Sequence, residues 1–101
     1  MKIAVTYQDG DIFQHFGHTE FFKIYDIENT DIVKTEIVST NGSGHGALAQ
    51  FLHEHSVDTL ICGGIGGGAQ MALSQAGIKL YGGVTGKADA AVNALLNNKL
   101  N

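Results

Sequence analysis

Two histidines, His15 and His18, lie three residues apart in the sequence His-Phe-Gly-His and are the side chains best suited to chemistry in this chain. Imidazole is the commonest side-chain ligand of metals, and it titrates near neutral pH. Two loop histidines at this spacing could bind one metal together or act separately. They could also be surface residues packed against Phe13 and Phe16 of the same segment. The residue types leave these alternatives open.

Two glycine-rich segments are the second feature that could do chemistry. Five of the six residues at 63–68 are glycine, and residues 82–86 read Gly-Gly-Val-Thr-Gly. Glycine has no Cβ, so backbone N–H groups can approach a ligand closely, and each segment precedes a predicted helix whose N-terminus attracts anions. The segments therefore predict a cradle for an anionic ligand, although tight turns and close helix packing also use glycine.

Cys62 is the single cysteine, and it lies where a short apolar run meets the first glycine segment. It could be a metal ligand or redox group if the next helix N-terminus lowers its pKa, or else a small buried hydrophobe. His45 begins a predicted helix and would reach the cradle only if its loop bent inward. His53 and His55 lie near the other end of that helix, where histidine is an ordinary capping residue.

Hydrophobic periodicity predicts the elements that must position these residues. Short apolar or alternating runs, each bounded by turn residues, predict five strands, at residues 3–7, 21–27, 32–38, 58–62 and 78–81. The second and third strands form an antiparallel hairpin. A helical period predicts a first helix over 45–55, a second helix capped by Gly77 and a third with Thr85 as its N-cap.

The order β-β-β-α-β-α-β-α predicts a three-layer α/β domain over residues 1–101, a mixed five-stranded sheet covered by helices, as in the ribonuclease H-like fold. The two later strands should run parallel to the first. The loops after these three strands should therefore meet at one sheet edge, where open α/β sheets bind ligands. Because residues 39–46 follow an antiparallel strand, the first helix should begin at the opposite edge unless that loop folds over.

Composition excludes several classes of function. With a net charge of −4 and 44% apolar residues, the 101-residue chain predicts a folded domain with no nucleic acid partner. No apolar run reaches the roughly 18 residues of a membrane-spanning helix, and the N-terminus lacks signal-peptide features, so we expect a cytoplasmic protein without a membrane partner. One cysteine excludes an intrachain disulfide and a four-cysteine metal site built by one chain.

Familiar catalytic and nucleotide-binding patterns do not fit the chain. Residues 64–69 match a dinucleotide-binding glycine pattern, but they follow the fourth strand, and the acidic residue about 20 positions later, Asp89, falls inside a helix. Gly86-Lys87 lacks the other residues of a P-loop. The first strand lacks the carboxylates of a two-metal nuclease. The sequence contains no evident set of nucleophile, base and orienting residue, which favours binding over catalysis.

Several segments together resemble one protein family. They are the N-terminal Met-Lys-Ile-Ala-Val, the turn Asp9-Gly10, the element His15-Phe16-Gly17-His18 leading into residues 21–26, the segment Cys62-Gly63-Gly64-Ile65-Gly66, and residues 76–81. Over almost its whole length the chain resembles the dinitrogenase iron–molybdenum cofactor biosynthesis family, which includes NifX-like and NafY-like proteins and the C-terminal domain of NifB-like proteins. The resemblance implies a ribonuclease H-like fold and non-covalent carriage of a metal–sulfur cluster during cofactor assembly, without catalysis.

The resemblance also implies that His15, the histidine of the His-Phe-Gly motif, is a cluster ligand, whereas His18 departs from a pattern in which a small residue is common. We therefore predict that an iron–sulfur or iron–molybdenum–sulfur cluster is bound by His15, Gly17, Cys62, Gly63, Gly64, Gly66, Gly67 and Gly83. The predicted direct metal ligands are His15, His18 and Cys62.

The predicted partners are cofactor-assembly proteins, and the predicted state is a monomer or a weak homodimer. Two other functions stay open from the sequence. One is a protein-interaction or regulatory module that holds no cluster. The other is an enzyme acting on a small anionic metabolite, with His15 or His18 as its general base.

Overall fold

The computed structural model of this chain describes residues 1–42 and 45–100, and it describes His45 by its backbone alone. The predicted role of the His45 side chain therefore lies outside the described residues. The strands are β1 (Lys2–Gln8), β2 (Asp11–Ile12), β3 (Phe21–Glu28), β4 (Asp31–Ser39), β5 (Thr59–Ile61) and β6 (Lys79–Tyr81). The helices are α1 (His45–Glu54), α2 (Gly67–Gln75) and α3 (Ala88–Leu96), with a 3₁₀ turn at Phe16–His18. Within the described residues, no helix has both the length and the apolar content needed to cross a membrane.

The strands form one mixed sheet in the order β4-β3-β1-β5-β6, and β2 joins β1 outside this path. β1, β5 and β6 run parallel to one another, whereas β3 is antiparallel to both β1 and β4. The mixed α/β sheet with parallel later strands is therefore confirmed. The expected total of five strands is wrong, because β2 makes the sheet six-stranded.

β2 is a two-residue strand that folds back on the end of β1, with Asp11 opposite Gln8. Asp9 and Gly10 connect the two strands, with φ angles of 51° and 92°. Positive φ at both central residues is the geometry of a type I′ hairpin turn, for which Asp-Gly is a preferred pair. The sequence predicted the turn, but two residues are too few to show a strand periodicity.

The helices pack on both faces of the sheet and so form the outer two of three layers. On one face, α1 and α2 bury Leu48, Leu52 and Leu73 completely. On the other face, α3 buries Ala91 and Val92. Burial of each leucine contributes about 2 kcal/mol relative to exposure, so these residues determine which face of α1 and of α2 packs on the sheet.

The expectation that α1 begins at the edge opposite the glycine loops is wrong. β3 is antiparallel to β1 and β4 is antiparallel to β3, so two reversals leave β4 parallel to β1. α1 follows β4 and therefore begins at the same edge as α2 and α3. Thr40 fixes this end of β4, because its N–H donates to the carbonyl of Glu20 and its hydroxyl donates to the carbonyl of Thr19, each at 2.9 Å.

The predicted end of α2 at Gly77 is confirmed. Gly77 has a φ of 78°, a conformation that glycine adopts without strain. The N–H of Gly77 donates to the carbonyl of Ser74, and the N–H of Ile78 donates to the carbonyl of Leu73, each at 3.0 Å. This is a Schellman motif, and it satisfies the last carbonyls of the helix.

The predicted start of α3 at Thr85 is wrong. The N-cap is Lys87, whose backbone is extended and whose side chain makes no capping hydrogen bond. Asp11 of β2 forms a backbone bridge with Lys87, and its carboxylate lies 2.9 Å from the Lys87 ammonium. The N–H of Ala88 donates to the carbonyl of Gly10 at 3.0 Å. Pairing with β2 thus keeps the chain extended up to Lys87.

Candidate functional site

Three loops meet at the edge of the sheet where β1, β5 and β6 end. The N–H of Gly64 donates to the carbonyl of Gln14 at 2.7 Å, and the N–H of Phe16 donates to the carbonyl of Gly64 at 3.0 Å. The N–H of Gly83 donates to the carbonyl of Gly63 at 2.9 Å. These bonds join the segment after β2 to the loops after β5 and β6. The convergence predicted from the parallel strand directions is confirmed.

Gln14 holds these three loops together through its side chain. Its amide nitrogen donates to the carbonyl of Ile12 at 3.0 Å and to the carbonyl of Val84 at 3.1 Å. Gly63 packs directly against Gln14, because a Cβ on Gly63 would lie 2.6 Å from the Gln14 Cα. Only glycine therefore fits at position 63 while Gln14 stays in place.

The two predicted histidines flank the turn Phe16–His18. His15 precedes the turn in an extended conformation and forms a parallel bridge with Gly64. The N–H of His18 donates to the carbonyl of His15 at 2.9 Å, so one 3₁₀ turn separates the two residues. Both side chains are exposed, and the rings of Phe13 and His15 are in edge contact with 6.0 Å between their centroids. Both imidazoles are open to a ligand, and the aromatic contact foreseen as an alternative exists for His15.

Buried residues keep this turn in one position. Phe16 is buried and packs against Phe22, with ring centroids 6.4 Å apart. The Thr19 hydroxyl donates to the carbonyl of Phe16 at 2.6 Å, and the Thr40 hydroxyl in turn donates to the carbonyl of Thr19. The backbone beside the histidines is thus tied to the core and to the start of the chain segment that leads to α1.

Six of the predicted site residues line three neighbouring hollows rather than one, and His18, Cys62 and Gly67 line none of the three. A hollow of about 440 Å³ is lined by three of the predicted glycines, Gly63, Gly64 and Gly83. A hollow of about 340 Å³ is lined by two others, Gly17 and Gly66. His15 lines a third, of about 350 Å³, with residues of β1 and β2. The backbone bridge from His15 to Gly64 joins the borders of the first and third hollows.

The hollow of about 340 Å³, which we call the glycine groove, lies beside the first turns of α1 and α2. Its lining residues are Phe16, Gly17, Gly46, Gly66, Gly68, Ala69 and Ala72. A Cβ on Gly46, Gly66 or Gly68 would have no atom within 4 Å, so these backbones face open space. Gly66 is the N-cap of α2 and has no side chain to cap its first N–H groups. Those N–H groups lack helical partners and lie at the positive end of the helix dipole, which suits an anion.

Two of the predicted backbone donors are already used within the protein. The N–H groups of Gly64 and Gly83 hydrogen-bond to other loops, and they could reach a ligand only if those bonds broke. Among the described residues, no three His, Cys, Asp or Glu side chains are grouped so that they could hold a metal ion. The backbone N–H groups of Gly67 and Gly68 at the start of α2 and the imidazoles of His15 and His18 are exposed at this edge.

Cys62 is buried in the core that lies between the sheet and helices α1 and α2. Its Sγ atom lies 3.6 Å from the carbonyl oxygen of Gly63. Burial raises the pKa of the thiol to about 11, because desolvation disfavours the thiolate. The expectation that the next helix lowers this pKa is wrong, since α2 begins only at Gly67. Cys62 as a metal ligand stays a prediction, and it requires the packing around the thiol to open.

Two residues that shape this edge, Gln14 and Gly46, are not among those predicted from the sequence. No pattern in the sequence around Gln14 predicts that its side chain hydrogen-bonds to the carbonyls of Ile12 and Val84. Gly46 was visible as part of a helix start, but the wrong direction assigned to β4 placed it at the opposite edge. Counting the two chain reversals of the hairpin would have found it.

A separate polar cluster fixes α3 on the other face of the sheet. The hydroxyl of Tyr25 and the ammonium of Lys23 both donate to the Asp89 carboxylate, in the first turn of α3. These two hydrogen bonds, that from Tyr25 above all, lower the pKa of Asp89. Burial, with Asp89 beside it, raises the pKa of Tyr25. The cluster stabilises the fold and lies away from the glycine groove.

Two comparisons of sequence bear on this site. A family model described as dinitrogenase iron-molybdenum cofactor matches residues 1–98 of the chain. An uncharacterized protein of Methanocaldococcus jannaschii is 31% identical over 105 residues, which cover 99% of this chain and 89% of that protein. The range matched by the family model contains the His-Phe-Gly element and the two glycine segments of this chain.

Solved structures share the fold over the whole chain. The crystal structure of PH0822 has a TM-score of 0.94 at 29% identity, and the alignment covers 100% of this chain and 93% of that one. The apo form of the orange protein from Desulfovibrio gigas has a TM-score of 0.85 at 27% identity, covering 99% of this chain and 90% of that one. These alignments include the elements around the glycine groove.

Proposed function

The chain belongs to the dinitrogenase iron–molybdenum cofactor family, and we propose that it is a non-catalytic carrier or accessory protein for a metal–sulfur cluster. The cargo is an iron–sulfur or iron–molybdenum–sulfur cluster, bound without covalent attachment and delivered during cofactor assembly. Its partners are the assembly proteins that load and receive the cluster. A cytoplasmic location and a ribonuclease H-like fold belong to the same proposal.

The glycine groove is the observation that carries this proposal. It lies beside the first turns of α1 and α2, and its glycines at positions 46, 66 and 68 leave the backbone open to a ligand. Metal–sulfur clusters are commonly anionic, and hydrogen bonds to their sulfur atoms tune their properties. Helix N–H groups supply both the donors and the positive potential that such a cargo needs. This local potential has to outweigh the net charge of −4 on the chain.

His15 is the proposed direct ligand, with His18 as a second candidate. The exposed His15 side chain lines the neighbouring hollow with residues of β1 and β2, and His15 directly precedes Phe16 and Gly17, which line the glycine groove. A neutral imidazole nitrogen is a suitable ligand for iron. One or two imidazoles attach a cluster less firmly than four thiolates do. Such an attachment suits a protein that has to release its cargo.

The test is anaerobic incubation of the full chain with ferrous iron and sulfide, with and without molybdate, followed by desalting. Absorption and metal content then report what is retained. We expect the wild-type protein to retain a coloured cluster and His15→Ala to lose most of it. His53→Ala is the matched control, because His53 is also exposed but lies in the last turn of α1. We expect it to behave as wild type.

A second variant tests the groove itself. Gly66 has a φ of −79°, which any residue adopts, and a Cβ at this position would meet no atom within 4 Å, so Gly66→Leu would place its side chain in the groove without straining the backbone. We expect this variant to fold and to lose the cluster. A wild-type protein that leaves both mixtures without metal would refute cluster carriage and favour the interaction module. Equal retention by His15→Ala and wild type would refute the ligand role of His15.

A further inference from the structure

β4 forms one edge of the sheet and presents an unusually open strand. It is nine residues long, and of the described strands it pairs with β3 alone. Val33 and Ile37 are 53% and 55% exposed. The opposite edge, β6, has only three residues. A long edge strand with free N–H and C=O groups and exposed apolar side chains is a template for pairing with another strand.

We propose that two copies of this chain associate through β4, paired antiparallel about a two-fold axis at Thr35. The joined sheets would be continuous across the interface. Because β4 lies at the far side of the sheet from β5 and β6, the interface leaves the glycine groove free. This proposal therefore does not depend on the proposed function.

The hydrogen-bonding pattern of β4 restricts how two copies can align. In an antiparallel ladder, successive residues alternate between those whose N–H and C=O point to one neighbour and those that point to the other. β3 already uses one of the two classes. Where the β4 strands of two copies pair, residues that face each other must both point their N–H and C=O groups toward the other copy or must both point them toward β3. A two-fold pairing is therefore centred on a residue and never between two residues.

Charge then selects among the possible centres. A centre at Lys34 would place that lysine opposite its own copy, and a centre at Glu36 would do the same for the glutamate, which is unfavourable. A centre at Ile37 would create no charge pair. A centre at Thr35 places Lys34 opposite Glu36 of the second copy, twice by symmetry. The side chains of Lys34 and Glu36 are exposed. The ion pairs found among the described residues are formed by other side chains.

The same register brings the exposed apolar side chains together. With Thr35 at the centre, Val33 lies opposite Ile37 of the second copy, again twice. The pairing of β4 with β3 is irregular opposite Asp26 and Ile27, where Val33 is the extra residue. The regular ladder between the two β4 strands is thus short. A contact between Val33 of one copy and Ile37 of the other lies at each of its two ends. Such an interface is small, which predicts weak association.

The test is sedimentation of the metal-free full chain from about 1 µM to about 1 mM, the range of dissociation constants that weak association spans. We expect a monomer–dimer equilibrium within this range. Lys34→Glu and Glu36→Lys each place like charges opposite each other, and each should weaken the dimer about tenfold. The double variant Lys34→Glu/Glu36→Lys restores two opposite-charge pairs and should restore the dimer. Circular dichroism checks that every variant is folded.

Net charge supplies the decisive control. Lys99→Glu makes the same charge change as Lys34→Glu but lies after α3, so it should leave the dimer unchanged apart from long-range repulsion. Glu36→Lys brings the net charge of −4 closer to zero, so general electrostatics would strengthen association, whereas the proposed register weakens it. A chain that stays monomeric to about 1 mM, a dimer strengthened by Glu36→Lys, or a double variant that stays monomeric would overturn the proposal.

Discussion

Gly63→Ala tests the contact on which the joined loops depend. A Cβ at this position would lie 2.6 Å from both the Cα and the side chain of Gln14, where ordinary contact begins at 3.4 Å. The Gln14 Cα is backbone, and its amide is held by the carbonyls of Ile12 and Val84, so relief requires the loops to separate. Overpacking of this kind costs about 1–3 kcal/mol. For about 2 kcal/mol, Tm should fall by about 8–16 °C in a domain of this size.

Thermal and urea unfolding followed by circular dichroism measure this change. Gly68→Ala is the matched control, because its Cβ would meet no atom within 4 Å and the residue lies in the first turn of α2. Alanine in a helix should leave stability unchanged or raise it by up to about 1 kcal/mol. Unfolding of Gly63→Ala at the wild-type temperature, or an equal destabilisation of Gly68→Ala, would show that the contact between Gly63 and Gln14 does not limit the size of residue 63.

Three further predictions concern backbone conformation, burial and charge. Gly83 has a φ of 70°, a left-handed conformation that strains alanine, and a Cβ there would meet no atom within 4 Å. Gly83→Ala should therefore lower the free energy of unfolding by about 1–2 kcal/mol in urea titrations; wild-type stability would contradict this. The Cys62 thiol, buried and with its pKa raised to about 11, should react with iodoacetamide far more slowly in the native than in the urea-unfolded protein; equal rates would show that it is accessible. Tyr25 and Lys23 lower the pKa of Asp89, so the carboxylate stabilises the fold above its unfolded-state pKa, and this contribution is lost as pH falls through the lowered folded-state pKa. The Asp89 side chain is 66% exposed, so solvent screening reduces this contribution. Asp89→Asn should therefore cost up to about 1 kcal/mol near pH 7 and progressively less in acid, and a difference that does not change with pH would argue against the charged hydrogen bonds.

The regular elements were predictable because each one carries its own burial pattern. Leu48 and Leu52 are one helical turn apart, and both are fully buried, as the period of the first helix predicted. Gly77 was identified as a helix end because a positive φ there suits glycine. The His-Phe-Gly element and the glycine segments also predicted the family correctly.

Errors occurred where structure depends on a distant partner. β2 exists because two residues pair with the end of β1, and Lys87 stays extended because it pairs with Asp11. Neither pairing is marked by a pattern in the neighbouring residues of the sequence. The start of α1 was assigned to the wrong edge although the hairpin itself was predicted, because the direction of its second strand relative to β1 was not followed through two reversals.

The candidate site shows the same division. Parallel strands predicted that the loops carrying His15, Gly64 and Gly83 would meet, and they do. The sequence could not show that the N–H groups of Gly64 and Gly83 bond to neighbouring loops, or that Gln14 packs on Gly63. As a result, six of the predicted residues are divided among three hollows, and the most open backbone lies at the start of α2 rather than at Gly63 and Gly64.

The amino-acid order of this chain thus specified its helices, most of its strands, its family and the edge where its loops converge. These features follow from periodic burial and from residue conformations that act over a few positions. The folded arrangement alone specified which amides remain free, how deeply Cys62 is buried, and which glycines border a common groove. Those outcomes depend on hydrogen bonds and contacts between loops that lie some 20 to 70 residues apart, such as Gln14 with Val84. Such contacts form only once the strands are in register.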